Sequence, residues 1–373
     1  MSTPDYDAIV VGARIAGSLT AALLGEAGWR VLVLDRATFP SDTLSTHFFR
    51  APALMAFRRV GVLEEVLDAG APPLVNLFND VDGHVFTESV EGGAGFNYVL
   101  CIRRIVLDDI LVRRLRREPT VQLLEGATVH TLVRDEGRVA GVRFRHAGSE
   151  HEATARVIVG ADGFRSFVAR AVAPAVEQAA SVRRAMYYGY FVGLLPQDPP
   201  AAEHHYRGNE LVYVFPCDNR LTLLAVSVPI AEFPAWKRDG RRLFLERLRA
   251  RPTLAPRLAK AEWVGRLYGA GDIPCYRRVP YGPGWVLVGD AGLIQDPWSG
   301  RGIEQGSTHA VLLAEALHRW LSGVTSWEVA MADFHAARNA AADKPYRRTC
   351  GNAGDFRPML AAALQRRGLS PAR

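Results

Sequence analysis

The chain opens on a nearly unbroken apolar run, Tyr6–Val11 (YDAIVV), as expected of a strand buried on both faces of a parallel sheet. Residues 15–27 then show helical periodicity and stop at Gly28. Residues 30–34 (RVLVL) are a second buried run, closed by Asp35. Strand, turn, helix and strand make a βαβ unit. Residues 41–59 read as a loop feeding a helix that ends at Gly61, and residues 63–69 as a short helix broken by Gly70, Pro72 and Pro73. Polar and apolar positions alternate over 75–99, which therefore reads as strands. An amphipathic helix over 105–117 precedes a strand, a hairpin at Asp135-Glu136-Gly137 and a second strand, together spanning 121–145. Residues 155–159 (ARVIV) are another buried strand. From 183 to 279 the pattern shifts to aromatic strands (186–194, 211–215, 220–228), interrupted by a helix over 233–251. This stretch predicts a separate antiparallel sheet. Residues 285–288 return to the buried-strand pattern, and helices finish the chain.

Three glycine–aspartate motifs punctuate these elements in a fixed order: Gly12-Ala-Arg-Ile-Ala-Gly17 with Asp35, then Gly160-Ala-Asp162-Gly163-Phe-Arg-Ser166, then Gly289-Asp290-Ala-Gly292 followed by Pro297, Gly300 and Gly302. In the first, a helix N-terminus offers free N–H groups and the positive end of its dipole to a pyrophosphate. Asp35 stands about 20 residues past the turn, where a carboxylate accepts hydrogen bonds from an adenosine ribose. Arg14 occupies the place of the expected middle glycine. It is either a guanidinium facing the phosphates or a solvent-exposed arginine on a displaced loop. Taken together the motifs describe one FAD held from both ends. The turn at Gly302-Ile303 adds a helix N-terminus suited to an anionic reduced flavin.

Composition narrows the class. Half of the 373 residues are hydrophobic, which suits about two domains sharing a sizeable core. No apolar stretch is long enough to span a bilayer. The first strand starts so early that no signal peptide is expected, and a cytoplasmic protein is. The net charge of +6 comes almost wholly from arginine, since Lys237, Lys260 and Lys344 are the only lysines. Arginine clusters at 113–117, 241–251 and 366–373 read as solvated helix faces, not as a nucleic-acid surface. Cys101, Cys217, Cys275 and Cys350 are scattered, fit no metal spacing, and read as reduced thiols. That spacing argues against a flavin disulfide reductase, which needs paired cysteines.

On these motifs the chain resembles the FAD-dependent aromatic hydroxylases and monooxygenases of the p-hydroxybenzoate hydroxylase fold, and within that group the short actinobacterial FAD-dependent oxidoreductases, over about residues 5–320. Fold expectations follow: α/β (α+β overall), with a Rossmann-like FAD-binding domain and an inserted antiparallel-sheet substrate domain. The first would comprise residues 1–75, 100–180 and 280–345, and the second 76–99 and 181–279, with C-terminal helices over 346–373. The resemblance implies a cofactor-binding set of Gly12, Arg14, Ile15, Ala16, Gly17, Asp35, Arg36, Arg104, Val129, Asp162, Gly163, Gly289, Asp290, Gly300, Gly302 and Ile303. Arg103-Arg104-Ile-Val-Leu107-Asp108 matches a helix start whose arginine reaches toward the FAD pyrophosphate. Asp162 would serve flavin and nicotinamide pyrophosphates, and Asp290 the ribityl or phosphate end. Pro297, a catalytic candidate together with His47, and the Gly300-Arg301-Gly302 turn would run beside the isoalloxazine ring.

The implied activity is monooxygenation: NAD(P)H reduces FAD, O₂ adds, and a flavin hydroperoxide oxygenates a small hydrophobic, aromatic, natural-product-type substrate. His47, in the Ser45-Thr46-His47 loop, is the candidate general base or orienting group, or else a cap for the next helix. Tyr188, Tyr190, Tyr213 and Phe215 are candidate pocket residues, or sheet core. Other histidines read as surface residues, with His204-His205 in a polar loop. Leu293, Glu304 and His309 depart from the family pattern. Glu304 either alters ring electronics or pairs with Arg301. A geranylgeranyl-reductase-like C=C reductase is the alternative, on the Tyr213-Val-Phe215-Pro216 strand. A flavin halogenase would need a lysine near the flavin in the N-terminal part, and none precedes Lys237. A non-catalytic flavoprotein is a further alternative. A separate flavin reductase, and a monomer or homodimer, stay open.

Overall fold

The computed structural model describes residues 3–369, so the ends of the first and last expected segments, 1–2 and 370–373, lie outside the described residues. The first sheet is built as the apolar pattern dictates. Tyr6–Val11 lies between Val31–Asp35 and Ser149–Gly160, parallel to both, with Val10 opposite Val33 on one side and Val159 on the other. Val121–Glu125 extends it in parallel beyond Val31–Asp35, and Trp285–Leu287 does so beyond Ser149–Gly160. The strand Ser149–Gly160 serves two partners. Its second half joins the parallel sheet, while residues 149–154 pair antiparallel with the hairpin strand Arg138–His146.

Unbroken apolar strands must be covered on both faces. Ala8, Val10, Val33 and Val159 face the helices Ile15–Glu26, Arg104–Arg116 and Gly302–Leu321. Ile9, Val11, Leu32 and Ile158 face the hairpin residues Val129, Val142 and Phe144.

A second, seven-stranded sheet uses residues 76–89 and 184–270. It is antiparallel except at one join, where Ala201–Arg207 runs parallel to Asn76–Val81. The expectation of a purely antiparallel sheet is corrected there, and so is the polar loop assigned to His204-His205. The segment AAEHHYR lacks an apolar alternation, yet it is a strand because its polar side chains find buried partners. Alternation does hold in Arg184–Val192. Tyr187 and Phe191 pack beneath the helix Phe233–Arg249 through Trp236 and Phe244. Met186, Tyr188 and Tyr190 face the other way, toward Phe48, Trp298 and the last helix, Arg357–Gln365.

A small third sheet, Val176–Ala180 with Cys275–Arg278 and Leu293–Ile294, was not legible in the pattern. The helix Trp327–Asn352 runs unbroken through the boundary expected at 345/346. Among the described residues, no helix is long and apolar enough to cross a membrane.

Candidate functional site

The glycine turn after the first strand is tightly determined. Gly12 sits at φ +106, and a Cβ there would lie 2.5 Å from the Ala161 carbonyl oxygen. A Cβ on Gly17 would lie 1.8 Å from the Gly12 oxygen, so this residue lets the helix pack onto the turn. Asp35 ties the turn to the next strand: its Oδ2 accepts from the Ala13 N–H at 2.7 Å and its Oδ1 from the Ala37 N–H at 2.8 Å. It therefore shapes the loop, and it also lines the cavity described below. The helix Ile15–Glu26 starts with no side-chain cap and no acidic residue in its first turn. Its N–H groups are left for an anion.

Arg14 is not the solvent-exposed arginine of a displaced loop: it stands on the cavity wall and is held within the chain. Its Nη1 pairs with Asp108 at 2.5 Å and reaches the Ser41 carbonyl, while Nη2 bonds the Ser41 hydroxyl and the Asp42 carbonyl. Asp108 is fully buried and also accepts from Arg104 Nε and Nη2 at 2.9 and 3.0 Å. A buried carboxylate with two guanidiniums braces the 41–42 loop against the helix Arg104–Arg116. Arg14→Gly should still fold, because Arg104 keeps Asp108 paired, but should lose about 1–2 kcal/mol. Urea titration checks this. An unchanged midpoint would make the pair energetically silent.

Asp162 is also committed within the chain. It accepts from the Ser166 hydroxyl and from the Phe167 and Val168 N–H groups, and so caps the helix Phe167–Val172. This carboxylate thus shapes the start of that helix while standing on the cavity wall. Asp290 differs. Among the described residues no hydrogen bond to its carboxylate is found, and burial pushes it up to about 6 against the opposing charge of Arg104.

These pieces meet around one cavity of about 930 Å³. Its wall includes Gly12, Arg14, Ile15, Ala16, Asp35 and Arg36 from the first motif, with Arg104 and Val129. Asp162 and Gly163 line it from the second motif. Gly289, Asp290, Pro297, Gly300, Gly302 and Ile303 line it from the third. Of the expected cofactor set, Gly17 alone is off the wall. Gly300 turns at φ +63, and no atom approaches within 4 Å of a Cβ built on Gly302, leaving the N-terminus of Gly302–Leu321 open toward the cavity. An extended cavity with bare glycine backbone, two uncapped helix starts and an unpartnered aspartate fits an FAD.

The expected catalytic and pocket residues divide. Tyr188 lines the cavity; Tyr190, Tyr213 and Phe215 do not. Tyr190, Tyr213 and Phe215 share its sheet face but belong to packed core: Phe215 stacks on Phe48 at 4.7 Å, and Tyr213 donates to the Trp298 carbonyl. His47 is fully buried behind the wall at φ +60. It shares a hydrogen bond through Nε2 with the Tyr190 hydroxyl at 2.5 Å and stacks on that ring. Burial, with Arg104 and Arg103 nearby, lowers it to about 3, so it is neutral at pH 7. Off the cavity wall, with Nε2 on Tyr190 and Nδ1 buried without a partner among the described residues, it is not placed as a base for substrate. It is not a helix cap either, since Ala51–Arg59 has no side-chain cap.

Glu304 pairs with Arg301 at 2.6 Å and with Arg50 at 3.1 Å, which is the plainer of its two expected roles. His309 is buried and held near 3 by burial and by Arg338. Wall residues missed in the sequence include Asp42–Leu44, Thr128, His130, Arg165, Met186, the 269–273 segment and Gln295. Closely spaced glycines at 269 and 271 were the available signal for that segment. The cysteines are less scattered in space than in sequence. Cys101 and Cys217 Sγ atoms lie 3.1 Å apart.

Asp296, one residue before Pro297, is 1% exposed and is pushed up to about 6 by burial, although it accepts from the Trp298 N–H at 3.1 Å. A carboxyl raised from 3.8 to about 6 favours folding fully below pH 3.8 and loses that contribution as pH rises through 6. The loss is about 2–3 kcal/mol. Asp296→Asn, whose amide oxygen keeps the Trp298 bond, should make flavin-stripped protein more stable at pH 8 and not at pH 3.5. Parallel melting curves at both pH values would contradict this.

A family model described as "FAD binding domain" matches residues 5–251. The chain is 26% identical over 360 residues to kynurenine 3-monooxygenase of Salinispora tropica, covering 90% of this chain and 77% of that protein. It is 23% identical over 347 residues to 1H-pyrrole-2-carbonyl-[peptidyl-carrier protein] brominase of Pseudoalteromonas luteoviolacea, covering 90% and 81%. Among solved structures, the myxobacterial chondrochloren halogenase is similar with a TM-score of 0.81 and 26% identity over 96% of this chain and 82% of that one.

Proposed function

This chain belongs to the FAD binding domain family and is an FAD-dependent oxidoreductase, and we propose that it is a monooxygenase that takes NAD(P)H and O₂ to oxygenate a small, hydrophobic, aromatic substrate. One observation carries this reading. A single cavity runs from the Gly12–Asp35 turn past Asp290 to Pro297 and Tyr188, so the ring end of a dinucleotide would meet Met186 and Tyr188 of the second sheet, with Phe48 beside them. The division into a cofactor unit and an inserted substrate unit is part of the same proposal.

The chain's residues have separable tasks in it. The N–H groups at Ile15–Glu26 and the Gly12 turn hold phosphate. Arg104 would balance its charge, and the unpartnered Asp290 carboxylate would accept from hydroxyls of the bound cofactor. The N-terminus of Gly302–Leu321 places partial positive charge where a reduced ring carries negative charge. Bound there, FAD supplies two-electron reduction and activation of O₂. Met186, Tyr188 and Phe48 exclude water from the ring end.

Halogenases are among the relatives, so halide transfer is the natural competitor. The three lysines, Lys237, Lys260 and Lys344, all lie off the cavity wall, which supports oxygenation over a lysine-dependent halide route. The test is turnover of an aromatic substrate panel under ¹⁸O₂ with bromide present. The proposal expects products heavier by one ¹⁸O atom. Brominated products, or C=C reduction that proceeds equally well without O₂, would replace it.

A further inference from the structure

The Cys101–Cys217 contact is not used by any of the chemistry above. The two residues are 116 positions apart, yet their Sγ atoms lie 3.1 Å from each other. That is closer than the roughly 3.5–4.0 Å at which non-bonded carbon atoms rest, and sulfur is the larger atom. Both side chains are buried, at 0% and 2% exposure. The approach does not depend on the sulfurs, because a separate clamp holds the two segments. Asp218 accepts from the Arg103 N–H at 2.8 Å and from Arg103 Nε at 2.7 Å. Cys217 is fixed further by its own N–H, which donates to the Leu221 carbonyl at 2.7 Å across a turn in which Asn219 and Arg220 are left-handed. Cys101 is fixed by the short ladder in which it faces Phe48.

We propose that Cys101 and Cys217 are an oxidation site that closes to an intramolecular disulfide with hydrogen peroxide. A disulfide is about 2.05 Å long, so the sulfurs need to close by only about 1 Å. In the first step one thiol loses its proton and its sulfur attacks peroxide, breaking the O–O bond and giving a sulfenic acid and water. In the second, the other thiol attacks that sulfur, forming the S–S bond and releasing a second water. Two thiols and one H₂O₂ thus become one disulfide and two waters, with both electrons going to the peroxide. The oxidant has a short path. Thr46 lines the cavity, and the Cys101 thiol donates to its carbonyl from directly behind at 3.5 Å.

The cross-link would add a covalent tie between two parts that otherwise meet by packing, the Arg103–Asp218 pair and hydrogen bonds such as His47–Tyr190. Cys101 stands three residues before Arg104 on the cavity wall, and Cys217 follows the second-sheet strand Glu210–Pro216. Oxidation would fix the cavity floor to that sheet. A physiological source of peroxide, reduced flavin meeting O₂ without substrate, rests on the function proposed above. The test uses added peroxide, so the two readings fail separately.

Flavin-loaded full-length protein is treated with one to two equivalents of H₂O₂, quenched, unfolded, alkylated with N-ethylmaleimide and mapped by peptide mass spectrometry. The expected result is that Cys101 and Cys217 leave the alkylated pool together. A joined peptide pair, two hydrogens lighter than its thiol forms, replaces them. Cys217→Ser should remove that pair and leave Cys101 alkylated. Where that variant fails to fold, Cys101→Ala gives the mirror result, and the wild-type map decides alone. Both cysteines still alkylated after peroxide, or each oxidised to sulfinic acid without a joined pair, would overturn the proposal. So would a cross-link confined to Cys275 and Cys350, whose side chains also contact each other.

Discussion

Gly12→Val should give a protein that purifies without flavin. The native φ of +106 is one that a β-branched residue hardly adopts, and the new Cβ would meet the Ala161 carbonyl oxygen at 2.5 Å. Backbone strain of this kind costs about 1–3 kcal/mol, and the clash adds to it. Relief requires the turn to move away from residues 161–162, which carry the opposite wall of the cavity. Three kcal/mol in binding is roughly 100-fold in affinity, so FAD retention should fall at least that far. Asp290→Ala isolates the binding term. It removes a half-buried carboxylate with no intramolecular partner found among the described residues, so it should weaken FAD without destabilising the fold. Yellow, fully loaded Gly12→Val protein would show that the cofactor lies elsewhere.

Asp80→Ala should be the most destabilising single change in the second sheet. Asp80 is fully buried and accepts from Arg207 Nη1 and Nη2 at 2.6 and 2.8 Å, from the Thr253 hydroxyl at 2.9 Å and from the Gly83 N–H at 3.0 Å. His205, also fully buried, lies between Thr253 on Nδ1 and Glu203 on Nε2, and Arg257 holds Glu203. Removing this fully buried carboxylate leaves the partly buried Arg207 guanidinium and Thr253 hydroxyl and the buried His205 without this partner, at a cost of about 3 kcal/mol. The same cluster sets a pH dependence. Burial opposes protonation of His205, but the carboxylates of Glu203, bonded at Nε2, and Asp80, 3.8 Å from Nδ1, outweigh it and raise His205 above 6.5. Its stabilising contribution is therefore complete below pH 6.5 and is lost as pH rises through the raised folded value. Wild-type protein should lose melting temperature over that window more steeply than His205→Gln. Matching slopes, or an Asp80→Ala protein within 1 kcal/mol of wild type in a denaturant titration, would contradict this account of the cluster.

The parallel sheet and the cavity wall were legible because their causes are local. Unbroken apolar runs such as Tyr6–Val11 specify strands buried on both faces, and a glycine marks each place where backbone approaches backbone. What stayed hidden was the destination of the polar side chains. Arg14 and Asp108 are 94 residues apart, so no spacing rule pairs them. Asp35 and Asp162 were placed correctly at the wall, but their oxygens are taken by nearby N–H groups of the turn and the helix they shape. Ala201–Arg207 was missed for the same reason. Its Glu203 and His205 look solvated until Asp80 and Arg257 arrive from distant segments. His47 looked catalytic from its place in a loop, and only packing against Tyr190 reveals that it is sealed off.

The central claim is that this cavity holds a flavin that accepts electrons from a pyridine nucleotide. Its most direct test is the visible spectrum of the purified, FAD-loaded protein, recorded without oxygen before and after adding NADPH, then NADH. Oxidised flavin bands that bleach with either nucleotide and return on admitting air are the predicted result. A spectrum that stays oxidised with both, while chemical reductants still bleach it, would contradict a self-contained monooxygenase and assign electron delivery to another protein.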